Sequence, residues 1–205
     1  MKTISFESRD EWFAARRGKI TGSRLKDIIV KRGSGHKMGF YDLIAERIST
    51  DPDGIALNET PMERGTRLEP EAMARFIEST GKKVDTSLVM WERDDNASIA
   101  ISPDGVIGKT EAVETKCLSS ASHIKAWLTQ QVPDEYEEQA TQYFIVNEQL
   151  RTLWLVFYDP RIPAKDFFFL EVKREDVAED AEDWLEFQRT ELAEVEKVVA
   201  ELMHF

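Results

Sequence analysis

The chain has 205 residues, 41% hydrophobic and 32% charged, enough for one α/β domain with a sizeable core and for at most two. Its single cysteine, Cys117, excludes an internal disulfide, a four-cysteine zinc site and a self-ligated iron–sulfur cluster, so any chemistry falls to oxygen and nitrogen groups. A net charge of −12 speaks against nucleic acid until its distribution is read: residues 1–50 carry 11 Lys/Arg against 6 Asp/Glu, a net of +5 that leaves −17 for the rest.

Two readings of that segregation stay open. Either the basic segment faces a polyanion while the acidic remainder faces solvent or binds cations, or both are solvated helix faces. No apolar run approaches the roughly 18 residues that cross a bilayer, and none follows the N-terminal basic residues, so a soluble, intracellular protein without a membrane partner is expected.

In chain order, "SRDEWFAARR" opens with Ser8 three residues before Glu11, a capping box that starts a short helix. "GKITGSRLKDIIV" reads as a turn into a second helix, "KRGSGHKMG" as a basic glycine-rich loop and "FYDLIAERIS" as a third helix. "DPDGIALNET" is loop. "PMERGTRLEPEAMARFIESTG" reads as a helix from Pro61 to a stop at Gly81, despite Gly65 and Pro70. Short strands follow in "KVDTSLVMW", "ASIAIS", "GVIG" and "EAVETKCL", arranged as a meander. Helices are expected in "SASHIKAWLTQ" and "PDEYEEQATQYFIVNEQ", strands in "RTLWLVFYD" and "KDFFFLEVK", and a long acidic amphipathic helix from Asp176. The expected fold is α/β of the α+β type: one domain over 1–205, with a central mixed sheet flanked by helices.

The chemistry concentrates in "ISPDGVIGKTEAVETKC". Ser-Pro-Asp-Gly is a β-turn signal. Glu114 and Lys116 are two apart on a strand and share a face, and a hairpin would bring Asp104 back beside them. The bland alternative is a surface ion pair. Two carboxylates and an amine at one place suit Mg²⁺, a hard cation that takes oxygen ligands and keeps several waters, with the lysine working on an attacking water. His36, His123 and His204 are scattered without metal-ligand spacing, and "GSGHKMG" lacks the Lys-Ser/Thr ending of a phosphate-binding loop. Cys117 reads as a small buried hydrophobe, and Phe167, Phe168 and Phe169 as strand residues with core on one side.

"SPDG" and "ETK", with nine residues between Asp104 and Glu114, resemble the PD-(D/E)xK nuclease signature. Together with "RRGKITGS" at 16–23, "RGTRLEPEA" at 64–72, "EYEEQATQY" at 135–143 and "FYDPR" at 157–161, they resemble the lambda-exonuclease-like family of YqaJ-type viral recombinases and alkaline exonucleases, over nearly the whole chain. The resemblance implies a restriction-endonuclease-like core with Mg²⁺, or Mn²⁺ in its place, as two ions per site. Asp104, Glu114 and the Thr115 carbonyl would hold the metal, and Lys116 would act on the water. Glu69 and Gln139 would stand near the metals and Tyr136 would line the cleft. Arg16, or Arg17 beside it, would join Ser23 and Ser102 around a terminal 5′-phosphate. Met62 would wedge into the duplex end, unless it is a core methionine.

The family further implies a ring-shaped homotrimer that threads double-stranded DNA ends and digests one strand 5′ to 3′ to mononucleotides, leaving a 3′ overhang for a single-strand annealing protein. The setting implied is the cytoplasm of a bacterial host, with a phage or prophage origin. A structure- or site-specific endonuclease of the same fold, and a non-catalytic DNA-binding module, are the alternatives.

Overall fold

The computed structural model describes Ser8, Glu11, Ala14, Ala15 and residues 36–50 and 60–203. Helices α1 (Met38–Ile48) and α2 (Pro61–Thr80) precede strands β1 (Trp91–Arg93), β2 (Asn96–Ile101), β3 (Gly105–Ile107) and β4 (Glu111–Lys116). Helices α3 (Ser120–Thr129) and α4 (Glu137–Val146), strands β5 (Thr152–Tyr158) and β6 (Phe167–Lys173) and helix α5 (Ala178–Met203) complete the described chain. The class is the expected mixed α/β one. Ser8 accepts a hydrogen bond from the Glu11 backbone N–H at 3.2 Å, as a helix cap does. Met38 and Gly39, expected at the end of the loop in "KRGSGHKMG", already belong to α1. The turn and helix expected over 18–30, and residues 51–59 of the loop expected over 51–60, lie outside the described residues.

Helix α2 contains Pro70 in its interior, a position that costs about 3 kcal/mol. Leu68, Ala72, Met73 and Phe76, spaced along one side of the helix, are buried. The three larger of these contribute about 1.5–3 kcal/mol each, which outweighs the proline. The helix stops where expected: Gly81 has φ +67°, the left-handed conformation glycine adopts freely, and its N–H bonds the Ile77 carbonyl at 2.8 Å.

The expected single meander divides into two sheets. β1 and β2 form an antiparallel pair of their own, while β3-β4-β5-β6 make a mixed four-stranded sheet in that order. Pro103, lying between β2 and β3, has no N–H with which to carry a ladder across. The strand expected over 83–91 shrinks to β1 and one bridge between Asp85 and Val106. The Asp85 carboxylate takes the Ser87 N–H at 2.9 Å, which bends the chain out of extended pairing. The turn expected at Ser-Pro-Asp-Gly is only a bend at Asp104, and the chain reverses at Gly108–Thr110, with Gly108 at φ +62°. Gly105 instead lies inside β3. A Cβ there would stand 2.5 Å from Val84 Cγ1 and 3.0 Å from Met73 Cε, so close packing requires the glycine.

Two compact units emerge, each made of three chain segments: Met1–Ala72, Lys116–Gln131 and Phe157–Phe168 form the first, and Met73–Thr115, Val132–Val156 and Phe169–Phe205 the second. In the first, Tyr41 and Ala45 of α1 pack with Ala121 and Ile124 of α3 and with Ile162. The "FYDPR" stretch works here as a clamp. Asp159, fully buried, accepts hydrogen bonds from Arg161 Nε at 2.7 Å and Ser120 Oγ at 2.6 Å, and Arg161 also reaches the Leu118 carbonyl at 3.0 Å. His123 is buried, donates from Nε2 to the Lys165 carbonyl at 2.8 Å and meets Phe168 edge-on. Burial pushes its imidazole below the ordinary range, so it is a neutral core residue. Phe168 also stacks on Phe157. Cys117 is half-buried rather than buried.

In the second unit Phe76 packs with Trp154 and Phe169. Ile99, Ile145 and Val146 form another core, covered by Trp91, Ile101 and the Ala181, Leu185 and Leu192 face of α5. Phe168 and Phe169 are therefore packing residues on opposite faces of β6.

Candidate active site

The site grows from one strand pair of the second unit. β3 runs antiparallel to β4 with Gly105 opposite Val113, so Asp104, one residue before β3, stands beside Glu114, one residue past Val113. Asp104 Oδ2 accepts hydrogen bonds from the Thr115 backbone N–H at 2.7 Å and the Thr115 hydroxyl at 2.8 Å. Oδ1 receives none among the described residues.

Glu114 is buried. Helix α4 supplies its partners: Gln139 Nε2 donates to Oε1 at 2.8 Å, and the Tyr143 hydroxyl donates to Oε2. Gln139 and Tyr143 are four apart on α4, hence on one face. Tyr143 is fully buried and its ring meets Trp91 edge-on. Burial, with the Glu114 carboxylate beside it, pushes the phenol far above the ordinary tyrosine range. Tyr143 therefore stays a donor, and a buried carboxylate held by two donors stays a fixed acceptor.

This donor set fits a hard divalent cation. Asp104 offers an open oxygen, and the Glu114 carboxylate, oriented by Gln139 and Tyr143, is a second hard oxygen group beside it. No group of three or more His, Cys, Asp or Glu side chains placed to hold a metal ion occurs among the described residues. Two carboxylates with a backbone carbonyl and waters is the way Mg²⁺ is commonly held, whereas a softer metal would want imidazole or thiolate.

The sequence model of the YqaJ-like viral recombinase domain matches residues 11–149, more than half of the chain, and spans both carboxylates and both of their α4 partners. The chain belongs to this family. Among solved structures it is similar to LHK-Exo, an alkaline exonuclease from Laribacter hongkongensis, at 30% identity over 94% of this chain and 99% of that one, with a TM-score of 0.56. The figures are the same for LHK-Exo in complex with dAMP. A phage-related exonuclease from Haemophilus somnus matches at 15% identity over 80% and 86% of the two chains, with a TM-score of 0.43. No curated protein matches.

Of the residues singled out in this YqaJ-like sequence, the structure brings together Asp104, Glu114, Thr115 and Gln139. Ser102 exposes its side chain, and its carbonyl lies 3.4 Å from the Tyr143 hydroxyl. Lys116 ends β4, two residues beyond Glu114, so the strand alternation runs through it. It belongs to the first unit, as do Glu69, half-buried on α2, and Met62 at the start of α2. Met62 is 79% exposed, which removes the core-methionine reading. Tyr136 ends a short 3₁₀ turn before α4 and is half-buried. Arg16, Arg17 and Ser23 lie outside the described residues.

Sequence reasoning missed Tyr143, although it closes the quoted stretch "EYEEQATQY". The available signal was its spacing of four from Gln139. Tyr143→Phe keeps the ring and removes one charge-assisted donor, so it is expected to lower unfolding free energy by about 1.5–3 kcal/mol. Because the hydroxyl orients a carboxylate, Mg²⁺ affinity is expected to fall about 10- to 100-fold. Denaturant unfolding and Mg²⁺ calorimetry measure the two effects, and an unchanged affinity would reduce Tyr143 to a packing residue.

Proposed function

We propose that the chain, acting as one nuclease domain over 1–205, is an Mg²⁺-dependent deoxyribonuclease that digests one strand of linear duplex DNA 5′ to 3′. It releases mononucleotides and leaves a 3′ overhang for strand annealing. The observation that carries this reading is the Asp104–Glu114 pair, oriented by Thr115, Gln139 and Tyr143, in a YqaJ-like chain 30% identical to an alkaline exonuclease along almost its full length. The dAMP complex of LHK-Exo adds a mononucleotide of the released class.

Asp104, Glu114 and the Thr115 carbonyl would hold two Mg²⁺ ions, or Mn²⁺, with Glu69 as a further carboxylate. Bound there, the cation supplies charge stabilisation to the phosphoryl oxygens and makes water a better nucleophile. The protein's own share is positional. Thr115 fixes Asp104 through two donors, and Gln139 and Tyr143 fix Glu114. Lys116 orients the attacking water and stabilises the negative charge that develops in the transition state. Arg16, with Ser23 and Ser102, receives the 5′-phosphate, a dianion suited to a guanidinium fork and hydroxyl donors. Tyr136 and Met62 meet the DNA, the exposed Met62 as the wedge at the duplex end. Three copies form a ring whose basic N-terminal segments attract DNA and whose acidic exterior repels it. The ring works in the cytoplasm of a phage-infected or lysogenic bacterium, alongside a single-strand annealing protein.

The decisive experiment incubates the purified protein and Mg²⁺ with linear duplexes bearing 5′-phosphate or 5′-hydroxyl ends and with closed circles. Expected are rapid loss of the phosphorylated linear form, slower loss of the hydroxyl form and intact circles. Arg16→Ala is expected to narrow the gap between the two linear forms by about 10- to 100-fold, the equivalent of one charge-assisted contact. Cut circles would make the protein an endonuclease, and DNA binding without any cleavage would make it a binding module.

A further inference from the structure

Helix α5 carries two apolar faces, and among the described residues only one is packed. Ala181, Leu185 and Leu192 pack on the second unit's core, and Gln188 on that side exchanges hydrogen bonds with Gln142 of α4 at 2.8 and 3.1 Å. At 100° per residue, Trp184, Phe187, Val195, Val198, Val199 and Leu202 fall within about 60° of a single line beside that face. Each is between 40% and 72% exposed. The stripe runs about 27 Å at 1.5 Å per residue. Single exposed apolar residues are ordinary, but a continuous row including a Trp184–Phe187 edge-to-face pair marks a binding surface.

The charges select the occupant. Glu191 stands within the stripe, and Glu194 and Glu201 border it along one edge; all three are exposed. The helix's two cations lie away from the stripe and are already engaged, Arg189 with Asp95 and Lys197 with Glu194. A second copy of α5 fits poorly, because in parallel register Glu191 meets Glu191 and in antiparallel register it meets the Glu194 region. Acidic residues in the row likewise disfavour DNA phosphates and an anionic lipid surface.

We infer that the exposed stripe of α5 is a docking surface for an amphipathic helix of a partner protein, with apolar residues against Trp184, Val195 and Leu202 and Lys or Arg residues against Glu191, Glu194 and Glu201. The helix-in-groove mode supplies affinity through the apolar row and selects the partner through the acidic one. This surface does not depend on the nuclease reading, and its test uses no DNA.

The probes are two synthetic 21-residue amphipathic peptides sharing a leucine seam, one flanked by Lys and Arg and the other by Glu. Binding is read by anisotropy and by Trp emission at physiological salt. The basic peptide is expected to bind at least about tenfold more tightly than the acidic one. Val198→Ser with Leu202→Ser should weaken the basic peptide at least about tenfold, and Glu191→Lys with Glu194→Lys should transfer the preference to the acidic peptide. Glu179→Lys with Glu186→Lys makes the same change in net charge on the far side of the helix and should leave the affinities in place. The inference is overturned if that control weakens binding as much as the stripe reversal does, or if the serine variant binds normally. It is also overturned if the serine variant has a lower sedimentation mass than wild type, since the stripe would then be covered by a second copy.

Discussion

Asp104→Asn is expected to lower Mg²⁺-dependent cleavage of a linear duplex by at least about a hundredfold while the protein keeps a cooperative thermal melt. Asparagine retains an oxygen for the Thr115 N–H and hydroxyl, so the local geometry survives. What it loses is the negative charge and one strong ligand for a hard cation. Glu114→Ala is a less clean test. It would remove the acceptor that the Gln139 amide and the Tyr143 hydroxyl share inside the protein, so lost activity would be mixed with lost stability. Mg²⁺ calorimetry on Asp104→Asn should show weakened binding alongside the lost cleavage. Ca²⁺ should support DNA binding with little cleavage, because its looser coordination positions the nucleophile poorly. Full activity in Asp104→Asn, or cleavage in Ca²⁺ as fast as in Mg²⁺, would remove Asp104 from the metal site.

What the sequence made legible here is what depends on short chain distances. Strand alternation set Glu114 and Lys116 on one face, and the brief loop to Asp104 returned that carboxylate to its neighbour. The stop of α2 at Gly81 and the amphipathic course of α5 were legible for the same reason, since each is written within one element. Tyr143 was not, because spacing along α4 puts it on the face of Gln139 but does not say that this face meets β4. The turn expected at Ser-Pro-Asp-Gly is only a bend, because Gly105 packs against Val84 as the first residue of β3, and the hairpin turns at Gly108–Thr110 between the two expected strands. The strand expected over 83–91 failed against Asp85, whose side chain competes with the ladder for the backbone. "FYDPR" belongs to the family resemblance, yet its described contacts are those of a buried clamp, a role that rests on a distant serine and carbonyl. Composition hid one further thing: an acidic amphipathic helix can bury one apolar stripe and leave another in solvent.

Lys116→Ala is expected to keep most of the Mg²⁺ affinity and to lower turnover about 10²- to 10⁴-fold, the range of a positioned general acid–base group. The reasoning starts from the strand. Glu114 and Lys116 are two residues apart on β4, so their side chains leave the same face of the strand. An ammonium repels a cation, so removing it should not weaken metal binding. It attracts a water's oxygen and a developing negative charge, so removing it should raise the barrier. Lys116→Arg should not restore the rate, because a guanidinium keeps its proton and presents a planar fork where a compact donor is required. The informative readout is the split between calorimetric Mg²⁺ affinity and cleavage at saturating Mg²⁺. Normal turnover at saturation combined with a large loss of affinity would make Lys116 a support of the metal ligands. Full recovery in Lys116→Arg would reduce its part to positive charge alone.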